Sequence, residues 1–205
     1  MNIEATFVTS AATAADVPRD GLPQVALVGR SNVGKSSLIN ALLRQRLART
    51  SAAPGKTRLA NLYRVARGRA RPLYLVDLPG YGYARGGREA AAEFDTLTRD
   101  YFGQGGVAAL LLVDARHPGL VLDRAAWQWV RASAGEAAVV ATKIDKLARG
   151  QRIRAMRELE SVFEDSVLPV SAVTGEGLDE LWQLIDRLAS SPNRTAPRPR
   201  RPPRK

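Results

Sequence analysis

Short apolar runs alternate with stretches of helical periodicity from residue 24 to residue 188. The apolar runs are Val25–Val28, Leu73–Val76, Val107–Val113, Ala137–Ala141 and Val167–Val170. Their nearly continuous, β-branched character is typical of strands that are buried on both faces of a sheet. Leu59–Val65 is a sixth candidate strand. It is separated from Leu73–Val76 only by the short basic turn Arg67–Arg71, so the two strands should form an antiparallel hairpin.

Between these runs, helical periodicity predicts five helices, over Ser36–Leu43, Glu89–Tyr101, Asp123–Ala132, Arg152–Phe163 and Leu178–Leu188. The alternation of strands and helices predicts an α/β fold. We expect a mostly parallel six-stranded sheet with one antiparallel edge hairpin and helices on both faces. Residues 23–190 should form this single domain, with residues 1–22 as an N-terminal extension packing on it and residues 191–205 as a disordered Pro/Arg-rich basic tail.

Composition narrows the class of protein without identifying a reaction. The chain is 45% apolar and 25% charged, lacks cysteine and has a single histidine, His117. Disulfides and thiolate metal sites are therefore excluded. With no apolar run of about 20 residues and no signal-peptide pattern, the sequence predicts a cytoplasmic protein without membrane insertion, which we expect to be a monomer.

Charge points to a polyanionic partner. The formal net charge is +11, and the last fourteen residues contribute six basic side chains, five prolines and no acid. Without those six side chains the net charge falls to +5. Prolines prevent regular structure in this tail, and its charge would attract nucleic acid non-specifically. A solubilising end with no fixed partner is the alternative.

The strand Val25–Val28 leads directly into a phosphate-binding loop. Its residues, Gly29, Arg30, Ser31, Asn32, Val33, Gly34, Lys35 and Ser36, have the pattern G-x-x-x-x-G-K-S between a strand and a helix. Backbone N–H groups of such a loop surround a β-phosphate, and the following helix N-terminus adds to their field. Lys35 should contact the β- and γ-phosphates, and the Ser36 hydroxyl should bind Mg²⁺.

Two further segments should complete the phosphate and metal site. Asp77, Leu78, Pro79 and Gly80 follow the strand Leu73–Val76 and form the D-x-x-G segment. Asp77 should hold Mg²⁺ through a water, and the Gly80 N–H should contact the γ-phosphate. Upstream, Thr57 should supply a second hydroxyl to Mg²⁺ and order its loop while γ-phosphate is present. We include its neighbours Gly55, Lys56, Arg58 and Leu59 in the nucleotide-binding set.

The base should be read by two segments near the end of the chain. Thr142, Lys143, Ile144 and Asp145 (the base motif) end the strand Ala137–Ala141. The Asp145 carboxylate can accept hydrogen bonds from N1–H and the exocyclic amine of guanine, a pair of donors that adenine lacks. Lys143 should lie along the ring, and Thr142 stands where an asparagine is more usual. Val170, Ser171 and Ala172 (the Ser171 loop) should offer a backbone N–H to guanine O6.

The amino-acid sequences of these motifs resemble those of the EngB (YihA/YsxC) family of bacterial P-loop GTPases. The resembling stretches are Gly29–Asn40, Pro54–Thr57, Val76–Ala84, Asp114–Pro118, Thr142–Lys146 and the N-terminal Phe7–Ser10. The resemblance covers roughly residues 5–190 and excludes the basic tail. It implies a Ras-like fold, Mg²⁺-dependent hydrolysis of GTP, and a part in assembly of the large ribosomal subunit and in normal cell division and septation. Ribosomal RNA would be the partner.

One position departs from many GTPases and bears on catalysis. Tyr81 directly follows the D-x-x-G segment, where a water-orienting glutamine is common, so intrinsic hydrolysis should be slow. Asn32 could then hold K⁺ beside the phosphates, with a loop-capping role as the alternative. Catalytic contacts are expected from Lys35, Thr57 and Gly80. His117 is interpreted as part of a turn rather than as a catalytic base.

Two other functions are compatible with parts of this pattern. The first is a P-loop ATPase or small-molecule kinase, which Asp145 argues against because its carboxylate selects guanine. The second is an RNA-binding scaffold with little GTP turnover, which the full set of phosphate and Mg²⁺ ligands argues against.

Overall fold

Seven strands form one mixed sheet in a computed structural model that describes residues 2–49, 59–81 and 96–190. The strands are β1 (Ile3–Ala11), β2 (Gln24–Gly29), β3 (Ala60–Arg67), β4 (Leu73–Asp77), β5 (Val107–Asp114), β6 (Glu136–Thr142) and β7 (Val167–Pro169). Their order is β1-β3-β4-β2-β5-β6-β7. Pairing is parallel from β4 through β7 and antiparallel between β1, β3 and β4.

Helices cover both faces of the sheet. They are α1 (Lys35–Leu43), α2 (residues 96–103), α3 (Val121–Ser133), α4 (Arg149–Phe163) and α5 (Leu178–Ser190). α1 and α5 pack on one face, where Ile39 and Ile185 are fully buried. α2, α3 and α4 pack on the other, around Phe102, Trp127 and Phe163. The central strands β2 and β5 have no exposed residues, which explains their continuous apolar sequences.

The predicted architecture is confirmed, with one strand more than the six expected. β3 and β4 form the predicted hairpin, with Val65 opposite Leu73. The additional strand is β1, which lies within the N-terminal extension and pairs with the whole of β3. A bulge between Phe7 and Thr9 shifts its register. Its paired residues are 49 to 64 positions apart in sequence, so local pattern alone does not reveal the pairing.

The remaining predictions about the fold meet the edges of the described residues. The first helix and the last three agree with prediction to within three residues at each end, and α2 overlaps the second half of the predicted Glu89–Tyr101 helix. The basic tail lies outside the described residues. Within the described ranges, no helix is long and apolar enough to cross a membrane.

Candidate nucleotide site

The predicted nucleotide motifs meet at one end of the sheet, because they follow the carboxyl ends of neighbouring parallel strands. The phosphate loop follows β2, the D-x-x-G segment follows β4, and the base motif and the Ser171 loop follow β6 and β7. Of the predicted site residues, Gly55, Lys56, Thr57 and Arg58 lie outside the described residues, and Leu59 is exposed beside them.

The lysine of the phosphate loop forms a hydrogen bond to the first residue of the loop. Gly34 has a φ of 110°, a left-handed conformation that favours glycine, and α1 begins directly after it. The Lys35 Nζ donates to the Gly29 carbonyl oxygen at 3.2 Å. Burial lowers the pKa of Lys35, with the Asp77 charge acting in the opposite direction. A buried ammonium held over the loop is prepared to receive phosphate oxygens.

Ser36 and Asp77 form the metal end of the site. The Ser36 hydroxyl donates to Asp77 Oδ2 at 2.8 Å. Burial raises the pKa of Asp77, while Lys35 and the Ser36 hydrogen bond partly oppose that effect. Among the residues that the structure describes, no hydrogen-bond partner reaches the buried Asp77 Oδ1. An unpaired buried carboxylate oxygen beside a serine hydroxyl suits a hydrated Mg²⁺, so these residues fit the predicted ion.

Few protein side chains would be needed for such an ion. In the part of the chain that the structure describes, no three histidine, cysteine, aspartate or glutamate side chains converge on a metal position. A magnesium ion held by one hydroxyl, phosphate oxygens and waters does not need that arrangement.

Gly80 lies directly against the phosphate loop. A Cβ added at Gly80 would stand 2.7 Å from the Ser31 nitrogen, so no other residue fits there without movement. The Ser31 N–H donates to the Tyr81 carbonyl oxygen at 3.2 Å, and Arg30 and Tyr81 form an isolated parallel bridge. The D-x-x-G segment therefore touches the phosphate loop through backbone groups.

The base motif is tied to the phosphate loop by two side chains. The buried Thr142 hydroxyl lies 2.7 Å from the Val33 carbonyl oxygen and 3.1 Å from that of Val113. Thr142 thus links the loops after β2 and β6 even though it replaces the usual asparagine. Lys143 donates to the Asn32 carbonyl oxygen at 2.5 Å and to Asp114 Oδ2 at 2.9 Å.

The Ser171 loop orients the Asp145 carboxylate through a hydrogen bond. The Ser171 hydroxyl donates to Asp145 Oδ1 at 2.7 Å, and this bond is the main reason that the pKa of Asp145 is lowered. The Ser171 N–H is already bonded to the Glu176 carbonyl oxygen. Ala172 is therefore the residue whose N–H is suited to guanine O6.

Several predicted site residues can contribute only backbone atoms. The side chains of Val33, Leu78, Ile144 and Val170 are buried in the core. Asn32, by contrast, has a φ of 62° and an exposed side chain. No hydrogen bond within the described part of the chain involves that side chain, so the loop-capping alternative finds no support there.

Two carboxylates bind side chains of the nucleotide motifs. The sequence analysis did not assign either of them to the site. Asp114, at the end of β5, binds both Lys143 and Arg116. Burial by itself would raise the pKa of Asp114, but the hydrogen bonds from Arg116 and Lys143 outweigh it, and the pKa lies below its usual range. Asp123, in the first turn of α3, binds the Tyr81 hydroxyl and Arg30. A carboxylate at a strand end was the available signal for Asp114; Asp123 offered none.

Comparison with known proteins agrees with this geometry. Residues 24–143 match the family model described as "50S ribosome-binding GTPase". A probable GTP-binding protein EngB from Pelotomaculum thermopropionicum is 42% identical over 190 residues, spanning 89% of this chain and 94% of the relative.

Solved structures support the fold. A structure of Era in complex with MgGDPNP and a segment of 16S ribosomal RNA has a TM-score of 0.72 at 24% identity, covering 82% of this chain and 56% of Era. A crystal structure of a probable GTP-binding protein EngB has a TM-score of 0.65 at 22% identity, covering 82% of this chain and all of the other. Motifs, geometry and relatives agree, and the chain belongs to the EngB family of GTP-binding proteins with a P-loop GTPase domain.

Proposed function

We propose that this GTPase is a Mg²⁺-dependent switch that hydrolyses GTP to GDP and phosphate and acts in assembly of the large ribosomal subunit. The main support for the chemistry is the Ser36–Asp77 pair, where a buried carboxylate oxygen beside a hydroxyl has no hydrogen-bond partner in the described part of the chain. When bound there, Mg²⁺ would neutralise charge on the β- and γ-phosphates.

The chain's own residues divide the remaining work. Lys35 exchanges its bond to Gly29 for phosphate oxygens and stabilises the negative charge that spreads over them in the transition state. The Gly80 N–H contacts the γ-phosphate, and Thr57 adds its hydroxyl to the metal site. Because Gly80 lies against Ser31, loss of the γ-phosphate removes a contact at the junction of the two loops.

Hydrolysis without a partner should be slow. The Tyr81 hydroxyl donates to Asp123 at 2.9 Å and so is not available to orient an attacking water. We propose that Asn32 supplies part of the missing help by holding K⁺ through its exposed side-chain carbonyl. Phosphate release should therefore be faster in KCl than in NaCl at equal ionic strength, and Asn32→Ala should remove the difference. Equal rates in both salts for the natural protein would contradict the potassium site.

The metal site has a matched test on one helix. Ser36→Ala should lower Mg²⁺-dependent phosphate release by at least about tenfold, because one metal ligand is lost. Ser37→Ala changes the neighbouring, exposed serine and should leave the rate close to that of the natural protein. Equal rates for Ser36→Ala and the natural protein would argue against the site.

The positions of the positive charges on α4 support an RNA partner, because they are unfavourable for the stability of the helix. The first two turns of α4 contain Arg149, Arg152 and Arg154, and no acid occupies its first turn and no base its last. Helices are stabilised by the reverse arrangement, which α5 follows with Asp179 and Glu180 first and Arg187 last. Arg152 is paired with Glu176, whereas Arg149 and Arg154 are exposed, and these two are better explained by binding to a polyanion. The description of the matching family and the RNA bound to Era support the same class of partner.

Sedimentation with purified ribosomal subunits tests the partner directly. We expect the protein to sediment with the large subunit in the presence of a non-hydrolysable GTP analogue and to be released in GDP. Equal binding to both subunits, or none, would contradict the proposal. Binding without any GTP turnover, even on subunits, would favour the scaffold alternative. In cells, depletion should cause precursors of the large subunit to accumulate before septation defects appear.

A further inference from the structure

Three side chains from three different segments meet behind the phosphate loop. Arg30 belongs to the loop itself, Tyr81 directly follows the D-x-x-G segment, and Asp123 lies in the first turn of α3. The Tyr81 hydroxyl donates to Asp123 Oδ1 at 2.9 Å, and Arg30 Nε lies 3.2 Å from the same oxygen. Two parts of the nucleotide site therefore share one carboxylate that is outside it.

The Asp123 carboxylate is buried and not on the solvated surface. It is only 1% exposed. Burying a carboxylate has a large free-energy cost unless hydrogen bonds and opposite charge offset it. Tyr81 and Arg30 supply both, so the position of Asp123 depends on these two residues and theirs depends on it.

Because Asp123 fixes the position of Tyr81, it also limits the position of the neighbouring Gly80. Tyr81 is held at both ends, by its hydroxyl on Asp123 and by its carbonyl oxygen, which accepts from the Ser31 N–H. Gly80, the preceding residue, is thereby pressed against Ser31. A shift of Tyr81 would move the Gly80 N–H relative to the loop that holds the phosphates.

We propose that Asp123 is a positioning residue that, through Tyr81 and Arg30, fixes the Gly80 N–H where it meets the γ-phosphate. Asp123 would thus set how strongly the protein distinguishes GTP from GDP without touching either nucleotide. This inference rests on the proposed contact between Gly80 and the γ-phosphate.

The proposal predicts a selective loss. GDP has no γ-phosphate to meet the Gly80 N–H, so its binding should depend on Tyr81 less than GTP binding does. In Tyr81→Phe, which removes only the hydroxyl, affinity for a non-hydrolysable GTP analogue should fall by about three- to tenfold while GDP affinity stays within about twofold, as expected for loss of one coupling interaction. Asp123→Asn, which retains the shape of the side chain, should act in the same direction.

A double-mutant cycle shows whether the two residues act together. If Tyr81 works through Asp123, Tyr81→Phe should cause a smaller loss in the Asp123→Asn background, where the hydroxyl meets a neutral acceptor, than in the natural protein. The chain provides a matched control at the opposite end of the sheet, where the Tyr74 hydroxyl donates to Asp20 at 2.7 Å. Tyr74→Phe removes the same type of hydrogen bond, Asp20→Asn neutralises its acceptor, and both should leave the ratio of the two affinities unchanged.

The outcomes are distinct. Equal losses for the GTP analogue and GDP would mean that the network only supports the phosphate loop, and unchanged affinities would mean that it has no part in binding; either result overturns the proposal. Failure of the natural protein to bind the GTP analogue would instead overturn the proposed function. Circular dichroism melting of each variant separates unfolding from a change in binding.

Discussion

At the scale of single residues, we expect the choice of base to depend on Asp145. The Ser171 hydroxyl fixes one of its oxygens at 2.7 Å. An amide in place of the carboxylate would present an N–H to the guanine amine but could donate to the 2-oxo group of xanthine. We therefore expect Asp145→Asn to weaken GTP binding by at least about tenfold and to favour xanthosine triphosphate.

Competition against a fluorescent guanine nucleotide measures this change. Asp165→Asn alters an exposed carboxylate between α4 and β7 and should leave both affinities unchanged. Unaltered GTP affinity in Asp145→Asn would show that the base lies elsewhere.

Asp114 should make the stability of the domain depend on pH. Hydrogen bonds from Arg116 and Lys143 hold its pKa below the ordinary value despite burial. A depressed pKa in the folded state gives stability that is complete above the unfolded pKa of about 4 and is lost as the pH falls toward the folded value. Asp114→Asn should thus lower the free energy of unfolding by roughly 1–3 kcal/mol near neutral pH, with a smaller difference below about pH 4.

Urea unfolding at several pH values measures that difference. Asp100→Asn, an exposed site on α2, is the control and should show no comparable change with pH. A constant difference between the natural protein and Asp114→Asn down to acid pH would contradict the assignment of the ion pairs.

Sequence identifies the residues of the nucleotide motifs better than those that hold the motifs in place. Lys35, Ser36 and Asp77 belong to short motifs whose spacing follows from the shape of a phosphate. Asp123 belongs to no motif, because its partners are 42 and more residues away and meet it only in the folded chain. Its function follows from burial, which sequence does not give for a lone aspartate in an amphipathic helix.

At the scale of elements, α4 is the helix where the proposed RNA binding and helix stability would favour different placements of charge. Arg154 and Arg157 are exposed on the same side of the helix, three residues apart. Arg154→Glu/Arg157→Glu should weaken association with ribosomal RNA and reduce its dependence on salt concentration, since phosphate contacts are lost. GTP affinity should not change, because neither residue belongs to a nucleotide motif.

The control uses arginines of another element. Arg64→Glu/Arg69→Glu changes two exposed residues of β3 and the turn after it, with the same change in net charge. Equal weakening by both pairs would indicate that only total charge matters and that α4 has no special part in docking.

The strands illustrate which elements sequence can predict. β2, β4 and β5 are buried on both faces, and their continuous apolar runs are easily recognised. β1 is a half-exposed edge strand with a bulge, so its periodicity is broken where pairing shifts register. An edge strand that joins a distant partner depends on tertiary contacts for its conformation.

At the scale of the whole molecule, the basic tail should contribute to RNA binding but not to nucleotide binding. Truncation after Ser191 removes six positive charges and no nucleotide motif. We expect GTP affinity to be unchanged and the slope of log affinity for RNA against log salt to become shallower, by up to about 5 if all six charges contact phosphates. Filter binding at four or more salt concentrations measures the slope, and an identical slope would exclude the tail as an RNA contact.

The position of Ser190 at the end of α5 has a consequence for where that tail can act. Ser190 lies with Gly21, Gly105 and Gly106 around the amino ends of the strands, whereas the nucleotide motifs follow their carboxyl ends. A tail bound to RNA would therefore tether the domain at the end of the sheet opposite the nucleotide site. The local concentration of the domain at the assembling particle would stay high through a complete cycle of GTP binding, hydrolysis and release.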